Sequence, residues 1–171
     1  MSATGSPAAV TFAVRRATAT DAAVLAHHRA AMFRDMGSLR PELYDALREA
    51  ARPWFADAVP AGEYVAFLAA PADRPDEIVA GAGAQLRRQL PRPTPDGDGI
   101  EVRQQALVLN VYTEPAWRRR GLAALLMEHV LAWAREAGVG SVVLHASDEG
   151  RPLYEQLGFV ATNEMRFTGP L

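Results

Sequence analysis

Arg118-Arg119-Arg120-Gly121-Leu122-Ala123 is the segment whose residue types and spacing point most directly at chemistry. It stands between an apolar strand-like run, Arg103 to Tyr112, and a helical pattern from Gly121 to Ala137. The first N–H groups of a helix have no partner within it, and the helix dipole adds positive potential there. A turn of this kind holds an anion. Gly121 lets the backbone approach that anion with no side chain in the way, and Ala123 keeps the next turn small. Three guanidinium groups add charge that does not titrate near neutral pH and form charge-assisted bonds with phosphate. A pyrophosphate fits such a site. The same triplet, taken alone, also fits a solvated rim; its place after a strand and before a helix favours the anion. The Gly-Lys-Ser/Thr of a P-loop is missing, which argues against a nucleoside triphosphatase.

Other chemistries are excluded by composition. The 171 residues contain no cysteine, so disulfides, thiolate metal sites and a catalytic thiol are ruled out. None of the four histidines pairs with another at i, i+4, and no metal is expected. The net charge of −2 argues against nucleic-acid binding. All eighteen basic residues are arginine, which reads as a codon bias. With 49% apolar and 22% charged residues, the chain has the composition of a soluble globular protein and the length of one domain, expected over residues 10–171. Residues 1–9 read as a flexible tail without the features of a signal peptide. No apolar run reaches the ~18 residues of a membrane span, so no membrane partner is expected and the cytoplasm is the default location.

The elements that must position the arginine turn are legible around it. Val10 to Val14 reads as a strand. Thr20-Asp21 starts a helix whose inner stripe is Val24, Leu25, His28, Ala31 and Met32, and Gly37 ends it. Pro41 opens a second helix that Pro53 ends or bends. Tyr64 to Ala70 and Glu77 to Gln85 read as strands, with Gly81 and Gly83 marking a weak point, a bulge or a close backbone approach. Pro91 to Gly99 reads as a loop. Beyond the Gly121–Ala137 helix come a buried-type strand, Ser141 to Ala146, and a short helix with Ser147 at its start and Gly158 past its end. A final strand or two is expected over Phe159 to Phe167. The order β-α-α-β-β-β-α-β-α-β is mixed α/β.

Two motifs in this order resemble the GNAT N-acetyltransferase superfamily. Its signature, [Arg/Gln]-x-x-Gly-x-[Gly/Ala] after the fourth strand, is matched by Arg118 to Ala123. Its pattern of a strand followed by a short helix is matched from His145 through Leu153-Tyr154-x-x-Leu157-Gly158-Phe159. The likeness runs from about Val10 to Phe167 and is strongest between Val108 and Phe159. The resemblance implies a mainly antiparallel mixed sheet with splayed fourth and fifth strands. It implies acetyl-CoA as co-substrate and a small-molecule amine or peptide N-terminus as acceptor, and leaves room for a homodimer. By the same resemblance the CoA pyrophosphate lies on Arg118, Arg119, Arg120, Gly121, Leu122 and Ala123. The pantetheine lies on the backbone of Val111, Tyr112 and Thr113, with Ser147 standing where relatives often have asparagine. Tyr154 matches the tyrosine near the sulfur. A phenol with pKa near 10 is protonated at neutral pH and can donate to a leaving thiolate.

The base is not assigned. Leu107 stands where several relatives carry a glutamate on the fourth strand, which leaves a non-catalytic acyl-CoA-binding module as the alternative function. An amine with pKa near 10.4 is neutral in only about one molecule in a few thousand at pH 7, so something must take its proton. Glu114, His27, His28 and His145 are candidates. His27 and His28 are adjacent and so face different sides of their helix. Arg29, Arg34, Asp35 and Tyr44 are candidates to face the acceptor.

Overall fold

The computed structural model describes residues 10–168, so the tail expected over residues 1–9 lies outside them. In chain order the elements are β1 (Phe12–Arg16), α1 (Ala22–Asp35), α2 (Tyr44–Ala58), β2 (Tyr64–Pro71), β3 (Ala80–Arg88), β4 (Arg92–Pro93), β5 (Ile100–Glu101), β6 (Gln104–Thr113), α3 (Leu122–Glu136), β7 (Ser141–Leu144) and α4 (Arg151–Gln156). The main sheet has the order β1-β2-β3-β6-β7. Its neighbours are antiparallel except the last pair, β6 and β7, which run parallel across the α3 crossover. β4 and β5 form a separate small ribbon, β4 within the Pro91–Gly99 segment read as a loop and β5 just beyond it.

Helices cover both faces of the sheet, and β2 shows why its sequence is almost continuously apolar. Tyr64, Ala66 and Leu68 point to the layer of α1 and α2, where Leu25 and Phe55 complete a buried cluster. Phe67 and Ala69 point the other way, toward Leu122, Leu126, Met127 and Val130 of α3. Alternation along a strand puts successive side chains on opposite faces. Alanines at 80, 82, 84 and 106 keep the α3 face shallow, so the helix packs close to the strands.

Three expectations are corrected. The start of the first helix is stabilised two residues earlier than Thr20, at Thr18: the Asp21 carboxylate accepts the Thr18 N–H at 2.8 Å and holds Arg15 at 2.7 and 2.8 Å. Of the two outcomes read at Pro53, ending the helix does not occur: α2 runs on to Ala58. Burial of Phe55 and Ala58 beyond the proline outweighs the lost hydrogen bond. The final strand over Phe159 to Phe167 is absent. Phe159 packs on Tyr154, but Val160, Met165 and Phe167 are exposed. The adjacent edge, β7, is only 4 residues long and offers little ladder to join.

Candidate active site

β6 changes character halfway along its length. From Arg88↔Gln104 to Gly83↔Leu109 it pairs with β3 in regular register, and then the register slips so that Gly81 faces Tyr112. The extra residue is absorbed at Asn110, whose φ of 57° is left-handed. A bulge of this kind bends a strand and raises its twist. On the other side the β7 ladder runs from Gln105↔Ser141 to Val108↔Leu144 and stops. From Leu109 to Thr113, β6 therefore has no strand beside it on that edge. Backbone N–H and C=O groups left this way need a partner. Val111 packs toward α3. Tyr112 is buried under α1, its ring 5.2 Å from that of His28.

The chain then enters the arginine turn. Arg119 and Gly121 both take left-handed φ, 62° and 78°, and α3 begins at Leu122 with no side chain capping it. The first helical bond joins the Leu125 N–H to the Gly121 carbonyl at 3.0 Å, so the N–H groups of Leu122 and Ala123 face outward. A Cβ on Gly121 would meet nothing within 4 Å, so the space in front of the helix is open. The three arginines differ. Arg118 turns inward, binding the Asp35 carboxylate and donating from Nε to the Thr113 carbonyl at 3.0 Å. Arg120 lies over the Trp117 ring at 4.9 Å. Among the described residues, Arg119 and Arg120 have no carboxylate partner.

Tyr154 sits half-buried on α4, edge-on to Phe159 and packed against the α3-side core. Burial raises its pKa above the usual phenol value. It borders a cavity of about 450 Å³ walled by β7, α4 and the segment after Gly158. Ser147 Oγ accepts the Gly150 N–H at 3.2 Å, so it braces the turn before α4 rather than capping the helix itself, whose N-cap is Gly150. His145 is exposed, 3.8 Å from Glu164.

On the opposite face, α1 and α2 bring three of the candidates into one line. His27 Nε2 lies 2.7 Å from Glu114 Oε1, and the Tyr44 hydroxyl lies 2.7 Å from His27 Nδ1. A tyrosine, an imidazole and a carboxylate joined in this order can pass a proton. His28, its neighbour in sequence, is buried with neither ring nitrogen bonded, and burial together with His27 pushes its pKa down to about 3. Arg34 pairs with Asp35. Arg29 instead reaches Asn110, donating from Nη1 to Oδ1 at 3.2 Å. Leu107 is buried between Gln85 and Val143.

The model of the acetyltransferase (GNAT) family matches residues 25–159. The chain belongs to that family. A GCN5-related N-acetyltransferase from Ralstonia eutropha JMP134 shares 28% identity and superposes with a TM-score of 0.75, covering 94% of this chain and 99% of its own. A predicted acetyltransferase from Clostridium acetobutylicum, solved with acetyl-CoA, shares 24% identity at a TM-score of 0.75, covering 93% and 96%. An aminoglycoside acetyltransferase from an uncultured soil metagenomic sample has the same fold, at 18% identity and a TM-score of 0.67, covering 94% and 99%. No protein of curated function matches closely enough to count as a relative. Membership makes this GNAT chain an acyltransferase of the N-acetyltransferase class. No helix among its described residues is long and apolar enough to cross a membrane.

Reading the sequence missed four residues that the GNAT fold gathers around a second cavity, between α1, α2 and the sheet: Trp54, Tyr64, Gln85 and Asn110. Asn110 carried a signal, being the one uncharged amide in an otherwise apolar run from Leu107 to Val111. Tyr64 carried none of its own; the glycine that receives it, Gly83, did.

Proposed function

We propose that this chain moves an acetyl group from acetyl-CoA to an amine by direct attack of the amine in a ternary complex. The observation that carries the reading is the alignment of the unpartnered β6 edge, Leu109–Thr113, with the uncapped start of α3. A peptide-like arm needs the first and a pyrophosphate the second, so the residues present fit the co-substrate. Backbone groups of Val111, Tyr112 and Thr113 hold the pantetheine amides. The N–H groups of Leu122 and Ala123, with Gly121 leaving room and Arg119 and Arg120 free to turn, hold the pyrophosphate. Arg118 acts from behind by fixing the turn to Asp35 and Thr113. Ser147 keeps the β7–α4 turn in shape beside the arm.

Acetyl-CoA supplies an acyl group already activated as a thioester. The protein supplies the proton traffic. Tyr154 keeps its proton at neutral pH, because burial raises its pKa, and gives it to the sulfur as the carbon–sulfur bond breaks; the exposed thiol leaves neutral. The line Tyr44–His27–Glu114 is the exit for the proton lost by the amine as the new carbon–nitrogen bond forms. A second reading, an acyl-CoA-binding module without catalysis, rests on Leu107 standing where the GNAT resemblance implies a glutamate in several relatives. Thiol release from acetyl-CoA across a panel of primary amines decides between them. Amine-dependent release supports transfer; tight CoA binding with no release for any amine supports the module.

A further inference from the structure

Between α1, α2 and the sheet face bearing Tyr64 and Asn110 lies a cavity of about 390 Å³. Most of its wall is apolar, through Leu47, Trp54, Phe55 and Leu109. Among the described residues, Arg29 is the one charged side chain that lines it, and no carboxylate does. Among the described residues Arg29 makes no ion pair; its side-chain hydrogen bond goes to Asn110 Oδ1. A guanidinium carries five donors, so most of its capacity is unused.

That bond also orients Asn110. Arginine only donates, so the amide oxygen must face it and Nδ2 must point away. Nδ2 then faces the Tyr64 hydroxyl, and the two residues form one buried hydrogen-bonded pair, 4% and 1% exposed, that supports Arg29 from the sheet side. Arg29 is thus the group whose donors the fold leaves open toward the cavity. One guanidinium with unused donors on an apolar wall, with no acid among the described residues that line it, defines the complement: a single carboxylate on an apolar body.

We infer that the acceptor is an amine carrying a carboxylate and an aliphatic or aromatic body, of which an apolar amino acid is the simplest member; this rests on the β6 edge being the acyl-donor site. The carboxylate meets Arg29, and the body lies against Trp54 and Phe55. Asn110 is next to Val111, about 3.3 Å along the strand, so an amine bound by its carboxylate here stands beside the acyl group. A polyamine or aminoglycoside would face Arg29 with no carboxylate to receive its own charges, which disfavours polycations.

The test compares phenylalanine, phenylalanine amide and phenethylamine, with leucine, its amide and isopentylamine as a second set and spermidine as a polycation. Thiol release from acetyl-CoA is measured, and in parallel each compound is titrated into the protein saturated with CoA. The expected result is a kcat/KM at least tenfold higher for the amino acids than for their amides and amines. Arg29→Gln should bring that ratio near one with CoA affinity unchanged, and Arg29→Lys should restore part of it. The carboxylate dependence of binding to the unsubstituted protein decides the matter should Arg29→Gln not fold. Carboxylate-dependent binding without transfer would keep the cavity assignment and overturn the transfer reading. Equal or faster transfer to the amides, amines or spermidine, or no carboxylate-dependent binding to either set, would overturn the inference and leave acyl transfer standing on its own evidence.

Discussion

The Tyr64 ring lies across Gly83 so closely that a Cβ at position 83 would stand 2.2 Å from its hydroxyl oxygen. Tyr64 is buried and pinned by Phe55 at 5.0 Å, so it cannot swing aside cheaply. Gly83→Ala is expected to destabilise the fold by about 1–3 kcal/mol, the usual range for overpacking, and to weaken acceptor use with little change in CoA affinity. Urea denaturation measures the first. Adding Tyr64→Leu should recover part of the loss, because the clash and not the glycine's flexibility is its source; an unchanged midpoint in Gly83→Ala would contradict the packing.

His28 makes stability pH-dependent. It is buried against Tyr112 and Gly81, with His27 beside it, and burial together with His27 lowers its pKa from 6.5 to about 3. The unfolded chain takes up this proton near pH 6.5, the folded one only near pH 3. Between those values the unfolded state binds more protons, so stability falls as pH falls, with a slope approaching ~1.4 kcal/mol per pH unit. Asp21 is held below its ordinary 3.8, chiefly by the hydrogen bond from Arg15, so its own loss enters only below that value. Urea midpoints from about pH 7 to about pH 4 should therefore drop, and His28→Leu should flatten the curve. Parallel curves for the two proteins would contradict the assignment.

How much of this was legible follows the physics of each signal. The α3 helix, the arginine turn and the Tyr154 helix were readable because local periodicity and glycine placement determine them. Gly81 and Gly83 were flagged without a choice among weak strand, bulge and close approach. Two of these hold: the register slips between them, and each admits a ring, His28 at Gly81 and Tyr64 at Gly83. Of the two outcomes read at Pro53, ending the helix is excluded, because tertiary burial of Phe55 overrides a local rule. The terminal strand misled because strand pairing is non-local, and nothing within Phe159 to Phe167 reports how short β7 is. The line Tyr44–His27–Glu114 joins residues 17 and 87 positions apart in sequence, which no spacing could reveal.

Tyr154→Phe removes one hydroxyl from a half-buried ring that packs largely through its faces. It is expected to lower kcat by roughly 10²-fold or more, as for loss of a general acid, and to leave CoA affinity and the melting temperature nearly unchanged. The high-pH limb of the rate profile should disappear with it, because burial raises the phenol pKa and the wild type loses activity only as that proton leaves. Equal losses in kcat and CoA affinity would make Tyr154 a binding or packing residue.

Glu114→Gln keeps the shape of the line through His27 and removes its charge. The expected outcome is a lower kcat at neutral pH with partial recovery as pH rises, since a more basic solution does what the carboxylate no longer can. A pH profile parallel to the wild type would show that the proton leaves by another route.

The central claim is that the β6 edge and the α3 start together hold an acyl-CoA. Isothermal titration of the folded protein with acetyl-CoA, CoA and ATP in parallel tests it, with Gly121→Glu as the comparison. That variant strains a φ of 78° and places a carboxylate in the open space before the helix. Binding of acetyl-CoA and CoA but not ATP, lost in Gly121→Glu, is the predicted result; at a hundredfold excess over Kd it also stabilises the fold by about 2.7 kcal/mol. No heat and no stabilisation with either CoA species would contradict the account and leave the arginine turn as ordinary surface.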